Sequence, residues 1–219
     1  LQDEIARSIA GALEVKLAAG KPEARRTPTL EAYDLYLRGV FVRNKLTSDG
    51  LSRAVQLFDR AVQHDSSYAL AYAGKVTALG PLVWYRHLPY EQGVPAMRAA
   101  ARKALELDES LGEAHVAQGM VHFYFDRNWE AAEREYRRAI ALNPSDQHAF
   151  HMYANYLVAM GRLDEGIAAR RRALELDPLS HRSGMLLGRD LTVAGRYEEA
   201  IAQYRRAMEI DSTSPLALG

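Results

Sequence analysis

Ala104-Leu-Glu-Leu-Asp108 is a five-residue sequence that the chain repeats with small changes. Related sequences occur at 61–65, 139–143, 173–177 and 207–211, each an alanine, a mostly apolar run of three residues and then Asp or Asn. Such a run is typical of the last turn of a helix and the residue that ends it. The successive alanines are 43, 35, 34 and 34 residues apart, and a fixed period of this size is typical of stacked helical hairpins. The sequence therefore predicts an all-α protein, a right-handed solenoid of about five hairpins.

Composition limits the classes of function. The 219 residues include 28 basic and 28 acidic side chains. We therefore expect no nucleic-acid partner, since phosphates are bound by clustered Lys and Arg. The absence of cysteine excludes disulfides, thiol nucleophiles and zinc–thiolate sites. No apolar run approaches the roughly 20 residues that span a bilayer. These features predict a soluble, cytoplasmic protein without a membrane partner.

The beginning of the chain lies outside the repeat. Residues 1–19 are predicted to form one amphipathic helix, and residues 20–29 a polar linker that starts with Gly20-Lys-Pro22. The helix has an apolar residue at every fourth position of one face: Ile5, Ile9, Leu13 and Leu17. Two interpretations stay open. The helix is the end of an upstream domain, or it packs on the solenoid as a cap.

The repeat array is predicted over residues 30–212. Its five copies occupy about 30–65, 67–108, 111–143, 145–177 and 179–211, and residues 213–219 are expected to begin a further, truncated copy. Gly161 and Gly195 are predicted to end helices in the left-handed conformation, and Asp126–Glu130 takes the same place in the third copy. In the first copy, Ser48 or Asp49 is the predicted N-cap of the second helix.

The second copy is longer than the others, and its excess lies between Leu79 and Pro95. This insertion contains Trp84, Tyr85 and Tyr90. One interpretation is an extended first helix and a longer loop whose aromatic rings fold back on the hairpin. The other is a protruding aromatic surface for a partner, since loops on rigid scaffolds often have binding functions.

The repeated unit resembles the tetratricopeptide repeat (TPR), whose pattern includes Leu-Gly in the first helix, an Ala-x3-aromatic pair in the second and then Pro. The matching residues are Leu187-Gly188, Ala54 with Phe58, Ala132 with Tyr136, Ala200 with Tyr204, Pro144 and Pro178. The fourth copy departs from the pattern, with Gly166 and Arg170 in place of the Ala-x3-aromatic pair. The opening residues, with Glu31–Gly39 behind them, are similar to a bacterial subgroup of multidomain regulators. In those proteins a cyclase, kinase or winged-helix domain precedes the repeats.

The resemblance implies a concave groove, lined by the first helices, that holds an extended peptide or a partner helix. It places these residues there: Tyr36, Val40, Arg43, Lys75, Val116, Met120, Phe123, His148, His151, Asn155, Arg182, Met185 and Arg189. The set includes cations and an amide but few acids, so it implies a protein or peptide partner of acidic character. A chaperone-type two-carboxylate clamp is not expected. Part of its lysine and asparagine set is missing, with Val116 and Leu186 among the apolar replacements.

No catalytic, cofactor or metal site is predicted. His148 and His151 have a spacing that could ligate a metal, but no third histidine or carboxylate lies at a matching offset. Arginines at 137–138, 170–172 and 205–206 lie near acidic residues on second helices. We expect them on a solvated convex face.

These features predict a non-enzymatic interaction or scaffolding module, the regulatory part of a larger bacterial signalling protein. Two alternatives stay open. The last hairpin could form a homodimer through Tyr197, Ile201 and Tyr204, because repeat arrays need polar caps to stay soluble. The groove could instead sense a small ligand and signal to an enzyme domain outside this sequence.

Overall fold

The computed structural model describes residues 27–210. The helix predicted at 1–19 and the truncated copy predicted at 213–219 lie outside these residues. The described part of the chain contains ten α-helices and one π-helical turn, without a strand. The predicted all-α class is therefore confirmed.

The helices are α1 (Leu30–Arg43), α2 (Ser48–His64), α3 (Ala69–Trp84), α4 (Tyr90–Leu107), α5 (Gly112–Val121), α6 (Trp129–Leu142), α7 (Gln147–Ala159), α8 (Leu163–Leu176), α9 (His181–Val193) and α10 (Tyr197–Ile210). The π-helical turn, His122–Asp126, follows α5 directly. Consecutive helices pack against each other as five hairpins. We number these hairpins 1 to 5 in chain order.

Hairpins 1, 3 and 5 close where a large side chain of the second helix meets a glycine of the first. Phe58 packs on Gly39, and Tyr136 packs on Gly119. A Cβ atom on Gly119 would lie 2.7 Å from the Tyr136 ring, although Tyr136 is itself fully buried. In hairpin 5, Tyr204 packs on Gly188 in the same way. Tyr204 therefore belongs to the inside of its hairpin and not to the exposed face that the dimer alternative required.

Neighbouring hairpins stack through their first helices. α3 contacts both helices of hairpin 1, α5 both helices of hairpin 2, and α7 both helices of hairpin 3. These first helices are apolar on most of their surface, and α3 alone buries ten residues. A hairpin cannot bury such a surface by itself, so stacking is what stabilises the array.

Most of the predicted helix ends are found where the sequence places them. Gly161 and Gly195 have φ of +76° and +75°, and Arg127 takes the same left-handed conformation at φ 53°, as predicted for these three ends. The predicted N-cap of α2 is wrong. Thr47 is the cap, because its backbone is extended and its hydroxyl accepts a hydrogen bond from the Gly50 N–H.

The insertion in hairpin 2 extends α3 through Pro81 to Trp84. The Trp84 ring meets the Tyr124 ring edge-on at 5.4 Å between centroids, and the Tyr90 ring lies 6.2 Å from that of Phe125. Trp84, Tyr85 and Tyr90 nevertheless remain 59%, 66% and 51% exposed. Two of the rings thus contact hairpin 3 while all three keep an outward surface, so each interpretation describes part of the insertion.

Candidate functional site

A concave cavity of about 150 Å³ lies among the first helices of hairpins 1 to 4. α1 supplies three of the predicted groove residues, Tyr36, Val40 and Arg43, and α7 supplies His148. The other lining residues are Leu70, Ala73, Gly74, Thr77, Glu113, Val116 and Asp146. Residues from four hairpins thus meet around one small space.

Arg43 is fixed at the rim of this cavity. Its guanidinium donates to the Thr77 hydroxyl at 2.8 Å and to the Asn44 side-chain oxygen at 3.1 Å. Burial raises the pKa of Tyr36, whose ring packs on Phe58 and Tyr68 at 5.8 and 5.3 Å. The α1 side of the groove is therefore preformed, because packing and hydrogen bonds already order its side chains.

Lys75 does not line the cavity. Its ammonium group pairs with the Asp59 carboxylate of α2, and Thr77 lines the space in its place. Positions two apart on a helix point in different directions. Lys75 therefore belongs to the contact between hairpins 1 and 2.

Hairpin 3 supplies apolar residues that are mostly buried. Met120 is 5% exposed and packs with Tyr136, Met152 and Tyr156, so it is a core residue. Phe123 is half-buried, and its ring lies 5.5 Å from that of Tyr156. Phe123 is the more accessible of the two, and it stands in the π-helical turn, a local structure found frequently at functional sites.

Arg170 is the feature of the site that the sequence interpretation missed. The sequence predicts it on the solvated convex face, but it is fully buried. Its Nε donates to the Asp190 carboxylate at 3.0 Å, and both side chains are 0% exposed. The remaining nitrogens donate to Nδ1 and the carbonyl oxygen of His151 at 3.0 and 3.1 Å and to the Asn155 oxygen at 2.6 Å. Each of the three nitrogens of the buried cation thus makes at least one hydrogen bond.

This arrangement decides what His151 and Asn155 present to a ligand. His151 Nδ1 accepts from a guanidinium, so the proton of the neutral ring lies on Nε2. The Asn155 oxygen is occupied by the same cation, and its nitrogen lies 3.4 Å from the Tyr124 hydroxyl. No described residue bonds His151 Nε2. The free groups of both side chains are therefore hydrogen-bond donors.

Arg182 and Arg189 add positive charge beside these donors. Arg189 donates to the second Asp190 oxygen at 2.8 Å, whereas Arg182 is exposed and makes no hydrogen bond or ion pair with any residue in 27–210. Both cations, together with Arg170, act on the hydroxyl of Tyr124, although burial raises its pKa overall. The part of the groove between α7 and α9 is therefore positive.

The two groove histidines are uncharged at neutral pH. Burial, with Arg43 and Arg182 nearby, lowers the pKa of His148 to about 3. Burial and the Arg170 charge also hold the pKa of His151 well below its usual value. Their rings stack in parallel, 6.3 Å apart, and the described residues contain no group of three potential ligands for a metal.

Asp146 adds an acceptor at the other end of the groove. One oxygen accepts from the His148 N–H at 2.8 Å, and the other is buried without a partner in the described part of the chain. Burial raises the pKa of this carboxyl group, although the bond from His148 and the Arg43 charge oppose the shift. The groove thus has a carboxylate near α1 and hydrogen-bond donors near α9.

Three of the other arginines predicted on the convex face, at positions 137, 171 and 172, pair with acids. Arg137 bonds Glu133 at 2.8 Å, and Arg171 bonds Glu199 of α10 at 2.8 Å. Glu133 also accepts from Arg162 at 2.7 Å, which links hairpins 3 and 4. In residues 27–210, no helix is long and apolar enough to cross a bilayer.

His115 is a buried charged group away from the groove. Its Nδ1 lies 2.6 Å from the Glu135 carboxylate and its Nε2 lies 2.8 Å from the Glu109 carbonyl oxygen. Burial lowers the pKa of His115, but the two acceptors outweigh that effect and raise it overall. Both ring nitrogens then carry protons, because only an imidazolium can donate twice.

Comparison with known proteins identifies the type of repeat. Residues 151–215 match the sequence model of the tetratricopeptide repeat family, and no curated protein matches the chain significantly. YrrB, described as a TPR protein with an unusual peptide-binding site, is 24% identical, with a TM-score of 0.52 over 82% of this chain and 87% of YrrB.

Two further solved structures have the same fold. TTC0263, a thermophilic TPR protein of Thermus thermophilus, is 22% identical, with a TM-score of 0.55 over 79% of this chain and 82% of its own. MamA from Desulfovibrio magneticus RS-1 is 18% identical, with a TM-score of 0.52 over 86% of this chain and 99% of its own. The predicted TPR solenoid is therefore confirmed as the fold.

Proposed function

We propose that this TPR solenoid is a non-enzymatic interaction module that binds an extended peptide or a partner helix along its concave face. The observation that supports this most is the arrangement of the groove, which several hairpins build together and whose side chains are held in place. Buried, ordered groups lose little conformational freedom on binding, and this preorganisation favours affinity. YrrB, with its peptide-binding site, is a protein of the same fold.

The partner has an acidic group that binds between α7 and α9. His151 and Asn155 offer only donors there, and Arg182 and Arg189 supply positive charge. A carboxylate accepts several such hydrogen bonds at once, and bonds of this kind are about twice as strong as neutral ones. At the other end, near α1, the groove has the Asp146 carboxylate. This polarity sets the direction in which the peptide lies.

The module is the regulatory part of a larger bacterial, cytoplasmic signalling protein. This part of the proposal rests on the similarity of the opening residues to bacterial multidomain regulators. The groove itself acts through binding: Arg43 and Arg170 hold other groove side chains in place, and Arg182 offers its charge to the partner.

Selection from a random 12-residue peptide library tests the groove. The wild-type chain and the Arg182→Glu variant are compared with Arg205→Glu, a control on the exposed face of α10. We expect wild type and control to enrich peptides with an acidic residue at one position, and Arg182→Glu to lose that enrichment. Absence of any enriched peptide, or the same acidic peptides on all three proteins, would contradict the proposal.

Self-association is a second candidate function, supported by exposed apolar residues of α10. Tyr197 is 64% exposed and Ile201 51% exposed. Light scattering during gel filtration tests it across a range of concentrations. A dimer that dissociates in Ile201→Asp, but not in Arg205→Asp, would support it, and a monomer at all concentrations would exclude it.

A further inference from the structure

The first helix of the array has an exposed apolar stripe. Leu30, Tyr33, Leu37 and Phe41 are 77%, 46%, 46% and 68% exposed. Their spacing places them above one another on one face of α1. The stripe is about 16 Å long at the rise of an α-helix. An exposed apolar surface of this kind indicates a contact site.

Hairpin 2 shows what packs on this face of a first helix. Gly39, Gly119 and Gly188 are equivalent, because each lies against a ring of its own second helix. Gly119 and Gly188 follow the aspartates that end the preceding helices, Asp108 and Asp177, by eleven residues, and the same count from Asp65 gives Val76 as the equivalent of Gly39 in α3. In that register Leu37 and Phe41 correspond to Gly74 and Ala78 of α3, which are both buried, and Tyr33 corresponds to Leu70, which packs on the cluster that includes Ala61 of α2. Ala78 packs with Ala54 and Phe58 of α2. The preceding second helix therefore covers this face.

The later hairpins follow the same rule. Ala117 and Val121 of α5 are equivalent to Leu37 and Phe41, and both are buried in a cluster that includes residues of α4. In α9 the equivalent of Phe41 is Asp190, which bonds Arg170 of α8. The exposed face of α1 is thus the receiving surface for a second helix.

We propose that the helix predicted at residues 1–19 docks antiparallel on this stripe, in the place that a second helix takes elsewhere. Its length fits, since α2 and α4 have 17 and 18 residues. Its apolar residues Ile5 to Leu17 extend over about 18 Å, close to the length of the stripe.

The linker favours this segment over a separate molecule. Residues 20–29 can reach about 33 Å when extended, which is more than the helix needs to turn back on α1. A short tether gives the docking helix an effective concentration in the millimolar range. Residues 1–19 would therefore occupy the stripe before a second copy of the chain does.

Disulfide formation tests the docking directly, because the natural chain has no cysteine. In the full chain, Leu13→Cys is combined with Leu37→Cys. The matched control combines Gly11→Cys with Leu37→Cys, since residue 11 lies on the opposite face of the predicted helix. With oxidised glutathione and low protein concentration, we expect the first pair to close intramolecularly at least about tenfold faster, because a disulfide requires Cα atoms within about 7 Å.

Each other outcome overturns the proposal. Equal rates of disulfide formation in the two pairs would show a segment that is tethered but not docked. If neither pair formed a disulfide, the segment would lie elsewhere. Disulfide-linked dimers would show that a second copy covers the stripe. Hydrogen exchange gives an independent readout in the full chain. Leu13→Asp should speed exchange of the α1 amides severalfold and Arg7→Asp should not, and unchanged exchange in both would also reject docking.

Discussion

Removing either member of the buried Arg170–Asp190 pair should destabilise hairpins 4 and 5. In Asp190→Leu, Arg170 keeps three neutral acceptors but loses its only carboxylate, so a cation stays buried without a counter-charge. Breaking a buried pair in this way costs about 3–5 kcal/mol. In Arg170→Met, Asp190 keeps the bonds from Arg189, whereas His151 and Asn155 lose their donor. We expect the free energy of unfolding of Arg170→Met to fall by an amount in the same range, somewhat smaller than for Asp190→Leu.

The double variant Arg170→Met with Asp190→Leu separates this explanation from simple loss of packing. It removes both charges together, so neither is left buried alone. The double variant should therefore cost at least about 2 kcal/mol less than the sum of the single variants. The neighbouring Arg171→Met is the control, because Arg171 is exposed and its loss should change stability by less than about 0.5 kcal/mol.

Hydrogen exchange of the α8 and α9 amides is the suitable assay, because repeat arrays unfold in parts and a single global transition can hide a local change. The reasoning would be refuted if the stability change of the double variant equalled the sum of the two single changes within about 0.5 kcal/mol. An Asp190→Leu variant with wild-type exchange would also refute it. The ¹⁵N shifts of His151 give a second check, since Nδ1 should lose its accepted hydrogen bond in Arg170→Met.

Three further outcomes follow from the structure. The folded pKa of His148, about 3, lies below its unfolded value of about 6.5, so stability should fall by roughly 2 kcal/mol between pH 7 and 5 on its account. Urea unfolding of His148→Gln should show a smaller fall. The contribution of His115 to stability depends on pH in the opposite direction, because its pKa is raised in the folded state. This contribution is fully present below about pH 6.5, the unfolded pKa, and is lost as pH rises. His115→Gln should thus be less destabilising at pH 8 than at pH 6, and an equal cost would contradict the assigned imidazolium. Gly119→Ala should lower the free energy of unfolding by about 1–3 kcal/mol, because the added methyl group overpacks against Tyr136. This loss is expected although Ala is the better helix former by about 1 kcal/mol. A gain in thermal stability would disprove the close contact.

Much of the groove is predictable from the phase of the repeat. Tyr36, Arg43 and His148 fall on one concave face because successive hairpins present equivalent positions in the same direction. The prediction for Lys75 is wrong by two positions, since Thr77 is the residue of α3 that lines the cavity and positions two apart on a helix point in different directions. Met120 lies on a first helix as predicted, but periodicity alone does not show that neighbouring rings cover it.

The burial of Arg170 could not be predicted from the repeat pattern. The signal is present, because an arginine stands where the repeat has an aromatic residue that packs inward. Composition groups it with its exposed neighbours Arg171 and Arg172, because charged residues are rarely fully buried. Only the knowledge that Asp190 faces it from the next hairpin makes burial the better interpretation.

The sequence by itself determined the number of hairpins, the all-α class and the left-handed helix ends at Gly161 and Gly195. These features depend on local spacing and on backbone preference, and both are determined by residues that are close together in the sequence. Tertiary structure alone decided which polar groups are buried, which are free and which nitrogen of His151 carries the proton. Those properties depend on partners in other helices and other hairpins, because the energy of a buried charge is set by the groups that surround it in space.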